Sequence, residues 1–143
     1  MSQYPIRAGS SMWALQVGIV TYLFGDSVLK ELAPGLYDGM VPEEEEPKLP
    51  YVLIGEMTEN PDDRLTTVGR EVTVTIHAFS NYRGAKEAKR IGDRITFLMD
   101  QRNFAVDGWN VTSSRLDFSE LLTEPDDIRH GVFRFRIKVQ PIV

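Results

Sequence analysis

The chain contains no cysteine. That removes disulfides, thiolate zinc sites and cysteine nucleophiles together, and fits a cytosolic or assembled protein. Histidine occurs twice, with neither an HExxH pattern nor a paired spacing, so there is no transition-metal signal. No apolar run approaches the roughly 20 residues that cross a bilayer, which argues against a membrane span. The N-terminus lacks a basic segment feeding an apolar one, which argues against a secretory signal. Cations are outnumbered, 16 Lys and Arg against 21 Asp and Glu. A net charge of −5 speaks against a protein whose main task is gripping nucleic-acid phosphates, while leaving room for a local basic patch. What remains is 143 residues, 42% hydrophobic and 26% charged, a composition for one globular domain over residues 1–143.

The most informative stretch runs from Arg70 to Arg102. Val72, Val74, Ile76 and Ala78 alternate with Thr73, Thr75, His77 and Phe79. A period of two places the first set on one face of a β-strand and the second on the other. From Arg83 the period changes: Ala85, Ala88, Ile91, Ile95, Leu98 and Met99 recur at three- and four-residue steps, the stripe of an amphipathic helix. Asn81 to Gly84 punctuates the two.

Around this unit, Ser10 and Ser11 are suited to cap a helix carrying Leu15, Ile19 and Leu23. Gly25 breaks it, and Asp26 is suited to cap a second, short helix with Val28, Leu29 and Leu32. Leu36 to Val41 reads as a short strand or extended arm, Pro42 to Pro50 as a loop, and Tyr51 to Ile54 as a strand. Thr58 to Gly69 is polar and reads as a long loop. Asp107-Gly108 favours a tight turn before a strand through Leu116 and Phe118. Glu124 to Asp127 is a further turn. The last strand puts Phe133, Phe135, Ile137 and Val139 on one face and Arg134, Arg136 and Lys138 on the other. The expectation is an α+β fold in the order α-β-β-α-β-β, an antiparallel sheet of about four strands with two main helices on one face.

The sharpest catalytic pattern is Phe24-Gly-Asp-Ser27 together with Asp127 and His130, which resembles GDS(L) esterases in its serine, histidine and aspartate. Its context is wrong. That chemistry needs a parallel sheet and later oxyanion-hole blocks, and no Gly-x-Asn-Asp block follows. A helix cap at Asp26 or Ser27 and a turn at Asp127 explain the same residues. His77 lies on a half-polar strand face, the place for a sheet residue or an interface hydrogen bond. Glu43, Glu44, Glu45 and Glu46 lack an EF-hand frame, so a solvated loop or electrostatic choice of partner is the reading. Arg134, Arg136 and Lys138 have no interleaved stacking aromatics, so acidic partners on a neighbouring strand or subunit come before nucleic acid. Gly92 fits a close approach between helix and sheet.

Taken in order, five segments resemble one family: Tyr37-Asp-Gly39 with Pro42, Pro50 to Gly55, Thr73 to His77, Gly84 to Ala88, and His130 to Arg136. It is the tail-completion, or tail terminator, family of long-tailed bacteriophages, prophages and gene transfer agents. The resemblance spans nearly the whole chain and rests on order and spacing more than on any one motif. It implies a structural subunit without catalytic residues or cofactor, forming a homo-oligomeric ring, a hexamer, at the head-proximal end of the virion tail. Such a ring, assembled in the host cytoplasm, would cap the tail tube and end its polymerisation. It would present a surface to the head–tail connector or stopper, and pass DNA without specific binding. A head-side neck adaptor or stopper is the alternative and differs in its partner. The four-glutamate loop is longer than the resemblance implies. Contacts with other subunits or the tube are expected from the loops Glu43–Lys48 and Thr58–Gly69 and the turn Thr123–Arg129. Asp62, Asp63, Arg64, Asp126, Asp127 and Arg129 stand out there, joined by His77, Arg134 and Arg136 on the sheet.

Overall fold

The computed structural model describes residues 7–41, 49–81 and 85–142. Helices α1 (Met12–Phe24) and α2 (Ser27–Leu32) come first, then strands β1 (Gly35–Asp38), β2 (Tyr51–Pro61) and β3 (Arg70–Ser80). Helix α3 (Lys86–Met99) is followed by β4 (Trp109–Thr123), a 3-10 turn at Pro125–Asp127, and β5 (Arg129–Pro141). One five-stranded sheet has the order β1-β2-β3-β5-β4.

The class is α+β, and two expectations are corrected. The sheet has five strands and is mixed, because β1 runs parallel to β2, with Gly35 opposite Tyr51 and Asp38 opposite Ile54. The order therefore gains a second helix and a third strand before α3. The other pairings, β2–β3, β3–β5 and β4–β5, are antiparallel. The polar segment after Thr58 is also not all loop. Thr58 to Pro61 continues β2 against Thr73 to Arg70, past a register shift between Ile54 and Met57. A bulge of this kind moves side chains between faces and hides the strand from a period-two reading. Expectations for Glu43–Glu46 and for Arg83–Gly84 fall outside the described residues.

The core collects the alternating positions. Val72, Val74, Ile76 and Ala78 of β3 and Phe135, Ile137 and Val139 of β5 are buried with Val52 and Ile54 of β2. Leu15, Ile19 and Leu23 of α1, Leu29 of α2, and Ile91, Ile95, Leu98 and Met99 of α3 join the same cluster, with Phe104, Val106 and Val111 beside them. Removing this much apolar surface from water is the main stabilising term.

Polar bonds fix how the helices meet that core. Asp26 caps α2 by accepting the Leu29 N–H at 2.9 Å, and both its oxygens also accept from Arg94 of α3 at 2.8 and 2.9 Å. The Arg94 bonds, reinforced by the cap, hold the Asp26 carboxyl below the usual range despite opposition from burial. The Ser10 hydroxyl accepts the Met12 N–H, but Ser11 makes no cap bond of its own. Instead its N–H and hydroxyl both donate to Glu59 Oε2 of β2 at 2.7 Å. Burial raises the Glu59 carboxyl, yet the two Ser11 bonds, with Ser10 and the Arg70 charge, together outweigh it and leave a lowered value. The tight turn is present: Trp109 N–H donates to the Val106 carbonyl at 3.1 Å, and Gly108 takes a φ of 80° that glycine tolerates without cost.

Candidate interaction surface

The face of the sheet turned away from the core carries Thr73, Thr75, His77 and Phe79, as the alternation requires. The β3–β5 register sets Phe79 opposite His130 and His77 opposite Val132. His77 Nδ1 therefore lies 2.7 Å from His130 Nε2. His130 Nδ1 meets Glu124 Oε1 at 2.9 Å, and His77 Nε2 meets Glu56 Oε2 at 3.3 Å. Phe79 stacks on His130 at 4.3 Å and on Tyr51 at 4.7 Å, and Tyr51 meets Tyr37 edge-on. Gly55 makes room for this cluster, since a Cβ there would lie 2.7 Å from the His77 ring.

Donor counting gives the chain Glu56–His77–His130–Glu124 a definite property. If each imidazole donates to its own carboxylate, the two facing nitrogens can bond only when one of them also carries a proton. The hydrogen bond to its own backbone, followed by those from His77 and Thr75, keeps the Glu56 carboxyl below its usual range against burial. The cluster ties the β4–β5 tip to the centre of the sheet and presents two acidic side chains at its ends.

Further along the same face, Arg134 Nε lies 3.0 Å from Asp117 Oδ2, and Arg136 Nη2 lies 3.1 Å from Asp117 Oδ1. Glu71 meets Arg136 at 3.6 Å and Lys138 at 3.9 Å. Arg134 also covers the Phe118 ring at 5.0 Å. The basic strip of β5 is thus matched by carboxylates from β3 and β4, as a ladder of partly exposed pairs worth little individually.

The other singled-out residues lie at two opposite ends. At the β2–β3 end, Asp62 N–H donates to Gly69 O at 3.0 Å and Arg64 N–H to Thr67 O at 2.8 Å. Asp63 Oδ1 accepts from Gly69 N–H at 3.1 Å and faces Arg70 at 3.5 Å. Leu65 at this tip is fully exposed, at 102%. At the other end, Glu124 N–H donates to Ile128 O at 2.7 Å, while Asp126 and Asp127 take left-handed φ values of 65° and 58°. Arg129 Nη1 donates to Thr123 Oγ1 there. Strand β3 separates the two ends, Arg70 pairing Val139 and Ser80 pairing Arg129. At 3.4 Å per residue that is about 34 Å. Asp62, Asp63 and Arg64 therefore share one end, and Asp126, Asp127 and Arg129 the other. His77, Arg134 and Arg136 lie on the face between.

Sequence reasoning missed Glu56, Glu124 and an exposed apolar set near the first end: Trp13, Val17 and Ile142 are 72%, 43% and 57% exposed. A signal existed for the last. The thirteen residues of α1 include no charge, so its outward face is apolar too.

The serine pattern does not assemble as a relay. Ser27 is exposed at the start of α2, whereas both ring nitrogens of His130 are occupied by His77 and Glu124. Among the described residues no group of three or more His, Asp or Glu side chains could hold a metal ion. No helix among them is long and apolar enough to cross a membrane.

Comparison with known proteins gives this surface its context. The family model for "Tail completion protein gp17" matches residues 17–140. The tail completion protein gp17 of Bacillus phage SPP1 is 24% identical over 91 residues, 63% of this chain and 67% of its own length. A chain in the virion of a native gene transfer agent particle superposes with a TM-score of 0.81 at 20% identity, covering 93% of this chain and 99% of the other. The structure of SPP1 gp17 superposes at 0.59 with 20% identity, covering 95% and 97%. At such identity the two structures speak for the fold, and the family model carries the assignment. The chain belongs to the tail completion protein gp17 family, as a structural virion protein and not an enzyme.

Proposed function

We propose that the 143 residues act as one domain that closes into a ring, a hexamer, on the head-proximal end of a tail tube. The ring ends tube polymerisation and offers its opposite side to the head–tail connector. The observation that carries this reading is the family match over residues 17–140 on a subunit whose two ends differ in chemistry. The β2–β3 end is flanked by exposed apolar side chains, whereas the β4–β5 end displays Glu124, Asp126, Asp127 and Arg129. A terminator between two unlike partners needs two unlike ends, and rings are built by heterologous contacts that close. The sheet-face cations are matched by carboxylates, which suits a DNA channel wall that does not grip its cargo.

Contacts with neighbours and tube are assigned to the two ends: Asp62, Asp63 and Arg64, and Asp126, Asp127 and Arg129. The Glu43–Glu46 segment takes part as an acidic element. His77, Arg134 and Arg136 support the ends from the sheet. Electron microscopy of particles assembled without this chain tests the reading. Overlong tails, or tails of normal length lacking heads, are expected; normal joined particles would overturn it.

A further inference from the structure

The apolar end of the subunit contains both a knob and a hole. The hole is a groove of about 520 Å³ between α1 and the turn before β4, lined by Trp13, Val17, Thr21, Val106, Asp107 and Ile142. Its walls are fixed. Gly18 brings α1 so close that a Cβ there would lie 2.8 Å from the Ala105 carbonyl. On the far side, the Ile142 N–H donates to the Gly108 carbonyl at 2.9 Å. The groove is therefore formed in the lone subunit and wets a Trp, a Val and an Ile.

The knob is Leu65, wholly uncovered on a turn held by the Arg64–Thr67 backbone bond and by Asp63. Arg64 is exposed beside it, and Asp107 is exposed at the rim of the groove. Apolar tip and apolar hole match, and so do cation and carboxylate. Both lie at the same end of the sheet: the turn carrying Leu65 extends from Arg70, which pairs with Val139, and the groove adjoins Trp109, which pairs with Pro141. Across the sheet β3 and β4 are two places apart, about 10 Å. A rotation about a ring axis leaves every residue at its own height. With the strands along that axis, a knob and its receiving hole must share an end and differ in lateral position.

We infer that Leu65 of one copy seats in the Trp13–Val17–Ile142 groove of the next copy, with Arg64 meeting Asp107. This rests on the ring reading and names its lateral contact. The contact is heterologous, so it propagates around the ring, as two-fold pairing could not.

The absence of cysteine makes the test clean. Leu65→Cys and Val17→Cys both alter exposed positions, and a disulfide forms only when the Cα atoms come within about 7 Å. The two single variants, purified separately, are mixed and oxidised, free and in assembled particles. The double variant is oxidised in parallel. A disulfide in the mixture, absent from either variant alone, is expected, with the double variant giving a ladder that stops at the ring number. A double variant that stops at dimers indicates two-fold pairing and overturns the contact. So does a wild-type ring, seen by native mass spectrometry or in particles, in which no such disulfide forms; the ring reading then survives. Capture of either cysteine by another particle protein assigns the groove to the tube and also overturns the contact. A chain that is monomeric in solution and not ringed in particles removes both readings. As an independent arm, Leu65→Asp is expected to weaken self-association at least tenfold and Leu65→Met to leave it intact. Exchanging the charges of Arg64 and Asp107 together is expected to restore what either reversal alone loses. Self-association unmoved by Leu65→Asp, or a double exchange as weak as the single reversals, contradicts the contact.

Discussion

Gly92 is the position where the fold's tolerance can be measured most sharply. It is buried in α3 and faces Phe133 of β5, and a Cβ built there overlaps the Phe133 ring. In an exposed helix Gly→Ala gains about 1 kcal/mol through helix propensity. Here the added methyl meets a ring that cannot simply retreat, because Phe133 also lies against Gly131, whose own Cβ would be 2.7 Å from the ring. Overpacking of this kind costs about 1–3 kcal/mol. Three ring atoms are overlapped, which puts the cost at the upper end, about 2–3 kcal/mol; after the propensity gain Gly92→Ala is expected to destabilise by about 1–2 kcal/mol, roughly 5 °C in Tm. Urea unfolding followed by circular dichroism gives the free energy, with the slope against denaturant checking that the denatured state is unchanged. Phe133→Leu removes the obstructing ring atoms. In that background Gly92→Ala should become neutral or stabilising, a coupling of about 2 kcal/mol across the pair. If Gly92→Ala stabilises the wild-type chain, or shifts both backgrounds equally, the close approach of α3 to β5 is wrong.

Other consequences are separable. Asp26→Ala removes both the α2 cap and the partner of Arg94 and should cost about 2 kcal/mol, half from the cap and the rest from partly exposed charged bonds; Asp26→Asn, which keeps the cap oxygen, should cost about half as much in the same urea assay. Asp26, Glu56 and Glu59 all have lowered carboxyl pKa values in the fold, so the stability they contribute is complete above the unfolded value. It is lost as pH falls through the folded values: the urea midpoint should be level above about pH 5 and decline below about pH 4, and a level profile down to pH 3 would contradict these bonds. His130→Phe keeps a ring on Phe79 but drops the bonds to His77 and Glu124; amide exchange in the Glu124–Arg129 turn should accelerate about tenfold while the Asp62–Gly69 turn is unchanged. Ser27→Ala, at an exposed position away from His130, should change stability by less than about 0.5 kcal/mol.

Local signals were legible where one element decides them. The switch from period two to period 3.6 after Ser80 marks β3 and α3, because each element buries one face on the same core. Asp26 and Asp107-Gly108 announced a cap and a turn through chemistry that depends on immediate neighbours alone. What was illegible depends on pairing. The bulge between Ile54 and Met57 interrupts alternation, so β2 loses its pattern at Thr58 although its backbone bonds continue. β1 is four residues long and takes its direction from the edge of β2, which no local periodicity encodes. Ser11, at the start of α1, is held by Glu59, 48 residues away. His77 was singled out, but its partner His130 lies on a strand whose register only the folded sheet sets. At the ends, the charges of Asp62, Asp63, Asp126 and Asp127 are visible in the sequence, whereas the exposure of Leu65 and of the uncharged face of α1 depends on what the fold leaves uncovered.

The claim that a ring of this chain closes the head-proximal end of the tail is tested most directly by a cryo-electron microscopy reconstruction of the head–tail junction in intact particles. The account predicts one closed ring of this chain between the last tube layer and the connector, its two chemically unlike ends facing different partners. Copies distributed along the tube, an open arrangement, or density confined to the distal tip would contradict it.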